Sequence, residues 1–151
     1  MASKSELHMI IGETMEVAQF LELELGTILL VQEADENKWY ENPIDNSKAY
    51  EKLLEKVNKN SLGASLKKLR EKINHKDDLV VIMEEALQAR NRFTHHIFRE
   101  HGMNRFTDNG RDKMIADIKK LNEKMEKAYS LAQPISERLV LEHYNLVQKH
   151  S

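Results

Sequence analysis

Apolar residues return along this chain at helical spacing almost from end to end. From Ser5 to about Glu33 they fall at Leu7, Ile10, Val17, Leu21, Leu25 and Ile28, a period near 3.6 with glutamates on the other faces. Gly12 and Gly26 are the weak points of that helix, each costing about 1 kcal/mol against alanine in a helix interior. The segment 37–46 contains Trp39, Tyr40, Pro43 and Asp45 and reads as a connection anchored by its two aromatics. Asn46 or Ser47 caps a second helix through Ala49, Tyr50, Leu53, Leu54 and Val57. Asn60 or Ser61 caps a short third one with Leu62, Leu66, Leu69 and Ile73 at helical spacing. A fourth begins at Asp77 or Asp78 and runs to Gly102, its C-terminal cap. The polar stretch 102–110, with a glycine at each end, predicts a loop.

The longest pattern follows: Met114, Ile118, Leu121, Met125, Ala128, Ala132, Ile135 and Leu139. Its steps alternate four and three, a heptad-like seam suited to core packing or to a dimer face. Pro134 lacks a backbone donor, so a kink or a break is expected there. No strand-period run or internal repeat occurs. Long amphipathic helices joined by short loops predict an all-α, up-down helical bundle with a long kinked C-terminal helix, one domain over residues 1–151.

Composition narrows the class. The 151 residues include no Cys, which removes disulfides, thiolate zinc sites and a cysteine nucleophile. With 32% charged and 40% apolar residues the chain is too apolar for disorder, and no run approaches the roughly 18 apolar residues of a membrane span. The N-terminal residues lack the layout of a signal peptide, so a soluble cytoplasmic protein with no membrane association is expected. Net charge is only −2 but is unevenly placed. Residues 1–38 carry eight acids against two lysines, whereas residues 86–106 carry Arg90, Arg92, Arg99 and Arg105 against Glu100 alone, with three histidines among them. A local basic patch binds phosphate even on a slightly acidic protein.

Chemistry concentrates in the fourth helix. Its stripe of Leu79, Ile82, Met83, Ala86, Leu87, Phe93, Ile97 and Phe98 is interrupted by Arg90. A guanidinium on such a face requires an acid or a ligand. Two roles are open: pairing with a first-helix acid such as Glu13, Glu16 or Glu24, or holding a bound phosphate. Asn91 and His95 are four apart and share a face, as do Arg92 and His96.

The run Arg90-Asn91-Arg92-Phe93-Thr94-His95 resembles the signature of the HEPN domain family: Arg, a polar residue often Asn, a few more residues, then His, late in an inner helix of an α-helical bundle. The resemblance implies a metal-independent, cofactor-free endoribonuclease acting as a homodimer, with paired motifs lining one cleft. Arg90 would hold the scissile phosphate bidentately. His95 would be general acid or base, and Asn91 would orient it or donate to phosphate. Arg92, His96 and Arg99 would bind the RNA substrate, and the product would carry a 2′,3′-cyclic phosphate. Many members are toxins of toxin–antitoxin systems, partnered by a nucleotidyltransferase antitoxin. Where a subset carries a modifiable Tyr two residues after the His, this chain has Ile97, so that control is not implied.

Plainer readings stand beside it. His96, Glu100 and His101 invite a metal, but His101 falls at the wrong spacing and no second helix offers Glu-x-x-His, so solvated surface is expected of all three. Lys67, Lys68, Arg70 and Lys72 form either a solvated face or an RNA-guiding patch. The rival function is a non-catalytic helical module that binds a protein partner or a nucleotide.

Overall fold

The computed structural model describes residues 1–59, 64–65, 67–68 and 77–151, and every regular element among them is helical. α1 spans Lys4–Glu36, a single 3-10 turn Trp39–Glu41, α2 Ser47–Lys59, α3 Asp77–His95, α4 Ile97–His101, a second 3-10 turn Gly102–Phe106, and α5 Asp108–Lys149. The expected third helix, with Leu62, Leu66, Leu69 and Ile73, lies outside the described residues, as do Arg70 and Lys72 of the basic run; Lys67 is exposed. No helix among the described residues is long and apolar enough to cross a membrane.

The chain packs as two compact units. The first comprises Met1–Leu21 and Lys76–Tyr129, the second Glu22–His75 and Ser130–Ser151, so α1 and α5 each contribute to both. In the first unit, α1 buries Leu7, Ile10, Thr14, Ala18 and Leu21; α3 buries Met83, Ala86, Ala89 and Phe93; α4 adds Ile97. α5 completes that core with Met114, Ile118, Leu121, Met125 and Ala128, along the predicted seam. α1 starts with a reciprocal cap: the Glu6 N–H donates to Ser3 Oγ at 3.1 Å, and the Ser3 N–H donates to Glu6 Oε2 at 2.6 Å. The Ala2 N–H donates to Asp112 Oδ1 at 2.6 Å, which ties this start to the first turn of α5.

In the second unit, Leu25, Ile28, Leu29, Val31 and Ala34 of α1 are buried with Leu53 of α2 and Ala132 and Ser136 of α5. Both linker aromatics are anchored, Trp39 edge-on to Tyr50 with ring centroids 5.0 Å apart and Tyr40 against His150 at 5.2 Å. Asn46 occupies the cap position of α2, since its carbonyl accepts the Tyr50 N–H. Its side-chain amide instead donates back to the Asn42 carbonyl at 2.9 Å.

Three local expectations change and a fourth is narrowed. Residues 102–110 are a 3-10 turn followed directly by α5, with Thr107 as its cap: Thr107 Oγ1 accepts the Gly110 N–H at 3.0 Å. Gly110 sits in that first turn because a Cβ there would come within 2.5 Å of the Asn104 Cα, a backbone atom that cannot move aside. The fourth helix does not run unbroken to Gly102. His96, at φ −126°, divides α3 from α4, while the His96 N–H still donates to the Arg92 carbonyl and its own carbonyl accepts the Glu100 N–H. Gly102 does cap α4, at φ +54°.

α5 is one helix through Pro134, so of the kink or break expected there the break does not occur. Pro134 and Ser130 are both exposed, so the carbonyl that loses its helical donor at a proline belongs to a residue on the solvent side. Finally, the seam leaves the core after Ala132: Ile135 and Leu139 are half-buried and Ser136 is buried. A heptad repeat on a straight helix drifts by about 20° per heptad, so after three heptads Ile135 has swung about 60° off line and Ser136 lies nearer the core.

Candidate functional site

The last two turns of α3, α4 and the 3-10 turn after it carry the chemistry singled out in the sequence. Phe93 and Ile97 are buried, four residues apart, and they fix this stretch against its unit's core. The buried line of α3 runs Met83, Ala86, Ala89, Phe93, so Arg90 flanks that line and is half-buried. Its Nη1 donates to Asn91 Oδ1 at 3.4 Å. Asn91 and His95 are exposed on one face, and His96 and Arg99 are exposed beside them. The rings of His95 and His96 stand 6.2 Å apart, centroid to centroid, at 68°.

Arg92 is placed differently from its neighbours. Its Nη1 and Nη2 donate to the two carboxylate oxygens of Asp117 at 2.7 and 2.5 Å, and its Nε donates to Glu100 Oε2 at 2.6 Å. His101 Nε2 lies 2.7 Å from Asp117 Oδ2, and Asn104 Nδ2 lies 3.1 Å from His101 Nδ1. One arginine thus ties α3, α4 and α5 together. The hydrogen bonds from Arg92 hold the Asp117 carboxyl below the ordinary carboxylate range, outweighing the partial burial that pushes it up, and the His101 hydrogen bond adds to the lowering. Arg92 in turn is pushed above its ordinary value, first by its hydrogen bond to Asp117. His101 and Glu100 are therefore both hydrogen-bonded in this network, His101 with its side chain only 13% exposed and Glu100 from the solvent-exposed surface expected of it.

Nothing in the sequence joined residue 92 to residue 117. The available signal was weak: an aspartate, a poor interior helix residue, one position before the core residue Ile118.

A second cluster lies in the other unit. His143 Nδ1 donates to Asp35 Oδ1 at 2.5 Å, and His143 Nε2 lies 3.0 Å from the Tyr50 hydroxyl. Burial raises the Tyr50 phenol above its ordinary value and the Asp35 carboxylate adds to the rise. The two contacts of His143 tie α1, α2 and α5 together in this unit. Among the described residues, no group of three or more His, Asp or Glu is arranged to hold a metal ion. No family model, no curated protein and no solved structure matches the chain.

Proposed function

We propose that the protein is an RNA-binding homodimer that cleaves RNA without a metal, in the manner implied by its resemblance to HEPN domains. The observation that carries this reading is the presentation of Asn91 and His95 side by side on an exposed helix face, with the Arg90 guanidinium hydrogen-bonded to Asn91. Arg90 meets the scissile phosphate. His95, in its neutral form, takes the proton of the ribose 2′-hydroxyl as that oxygen attacks phosphorus. The P–O5′ bond breaks, and the departing oxygen takes its proton from an imidazolium, that of the second protomer's motif in a paired site. The product is a 2′,3′-cyclic phosphate and a free 5′-hydroxyl. Asn91 orients the imidazole or donates to phosphate, and His96 and Arg99 bind flanking phosphates. A nucleotidyltransferase antitoxin is the partner such a toxin would take.

A second reading, the non-catalytic module, draws on Val140, Leu141 and Tyr144, three large apolar side chains exposed within five residues of α5. Two variants, at His95 and Arg90, separate the readings. His95→Ala is expected to lower cleavage of single-stranded RNA by about a hundredfold with an unchanged melting temperature. Arg90→Ala is expected to abolish turnover, and EDTA to leave it unchanged. Wild type that cleaves no RNA, or that light scattering finds monomeric at high micromolar concentration, refutes the ribonuclease reading.

A further inference from the structure

One cleft of the first unit lies outside the Arg90–His95 motif. It encloses about 500 Å³ and is lined by Lys4, Leu7, His8, Phe98, Arg105, Phe106 and Arg111. The volume is in the range of small-ligand sites. No acid lines it. Three of its residues are permanent cations, and their states differ. Arg111 is structural: it donates to the Ala2 and Arg105 carbonyls and pairs with Asp108. Arg105 is exposed, with its guanidinium carbon 4.5 Å from the Phe106 ring centroid and 6.0 Å from that of Phe98. Neither Arg105 nor Lys4 forms a side-chain ion pair among the described residues. Phe98 is 47% and Phe106 58% exposed, while Leu7 is buried and forms the floor.

Two open aromatic rings carrying a guanidinium are costly to leave in water and have no role in the core. Arginine planes and aromatic faces are stacking surfaces for nucleobases, and the edge N–H groups of a stacked arginine remain directed outward for phosphate. We propose that this cleft holds one nucleotide of a single-stranded RNA, with its base stacked on the Arg105–Phe106 platform and its phosphates met by Arg105 and Lys4. The inference rests on the RNA-binding part of the function proposed above and not on its chemistry. Phe98 lies three residues beyond His95, so a strand engaged at α3 continues naturally toward the cleft.

The test is fluorescence anisotropy with a labelled ten-nucleotide single-stranded RNA and, in parallel, a labelled hexaglutamate peptide. It compares wild type, His95→Ala, Arg105→Ala, Phe106→Ala and Phe106→Trp. Because Phe106 and Arg105 are exposed, these variants are expected to keep the wild-type melting temperature, which is measured first. Phe106→Ala and Arg105→Ala are expected to weaken RNA binding about tenfold each, and Phe106→Trp to preserve it. RNA affinity unchanged in both alanine variants overturns the cleft and leaves the function at His95 standing. Affinity lost in them while no wild-type cleavage is found supports the cleft and removes the ribonuclease. Wild type that binds no RNA overturns both, and Arg105-dependent capture of the peptide without RNA binding assigns the cleft to an acidic protein instead.

Discussion

Replacing Asp117 by asparagine tests whether the network around Arg92 holds the C-terminal part of α3 in place. The native carboxylate receives two hydrogen bonds from Arg92 and one from His101, at 2.7, 2.5 and 2.7 Å. A hydrogen bond to a charged group contributes about 1.5–3 kcal/mol where it is protected. Arg92 is 37% exposed and Asp117 20%, so screening removes a large share. Asparagine keeps one acceptor oxygen but turns an NH₂ group toward donors. The net loss is about 2 kcal/mol, or about 4–8 °C in melting temperature for a chain of this length. The assay is urea unfolding followed by circular dichroism at several pH values.

The pH dependence carries a sign. The folded carboxyl lies below its unfolded value of 3.8, so the unfolded chain binds more protons and stability rises with pH between the two. The contribution is complete above the unfolded value and disappears as pH falls through the folded one. The gap between wild type and Asp117→Asn should therefore be at its full size at pH 7 and close as pH drops below about 4. A gap under about 0.5 kcal/mol at pH 7, or one that widens in acid, refutes the assignment.

Gly110→Ala should cost about 2 kcal/mol, read as a lower melting temperature, because the new methyl meets the backbone of Asn104. Thr14 is fully buried, and its Oγ1 has no hydrogen-bond partner among the described residues, so Thr14→Val should stabilise by about 1 kcal/mol in the same measurement. Tyr50→Phe should cost about 1 kcal/mol at neutral pH by removing the bond to His143. Because the folded phenol is raised above 10.0, that contribution is complete below pH 10 and lost as pH rises through the folded value; chemical denaturation should show the two proteins converging in alkali.

The sequence reading succeeded where one residue's environment follows from its neighbours on the same helix. α1 follows its apolar period except at Val17, which is half-buried, and α5 follows its own as far as Ala132, because burial of one face selects those positions regardless of topology. Thr14 escaped that reading because a threonine in a core line looks polar, although its position between Ile10 and Ala18 is that of a core residue. The Ser3–Glu6 cap was legible in its Ser-x-x-Glu spacing. Gly110 was misread for a physical reason: glycine signals a turn by its conformational freedom, whereas here it is needed for lack of a side chain under a neighbouring backbone. The Arg92–Asp117 pair joins residues 25 apart, and no local period encodes that closure.

Arg92 also changes how the arginine-rich segment must be interrogated. Formal charge gives residues 86–106 four equivalent cations, but the guanidinium of Arg92 is already matched by two carboxylates and that of Arg105 lies over an aromatic ring. Removing Arg92 leaves Asp117 and Glu100 without its guanidinium, and it also cuts the tie between α3 and α5. Lost activity in such a variant would combine a reversed local field with a displaced helix end. Removing Arg99, which is exposed, changes field alone. A phosphate-binding role for any of these arginines is therefore demonstrated by lost RNA affinity at constant melting temperature. For Arg92 that demonstration requires restoring stability independently, for example with Asp117 and Glu100 neutralised in the same chain.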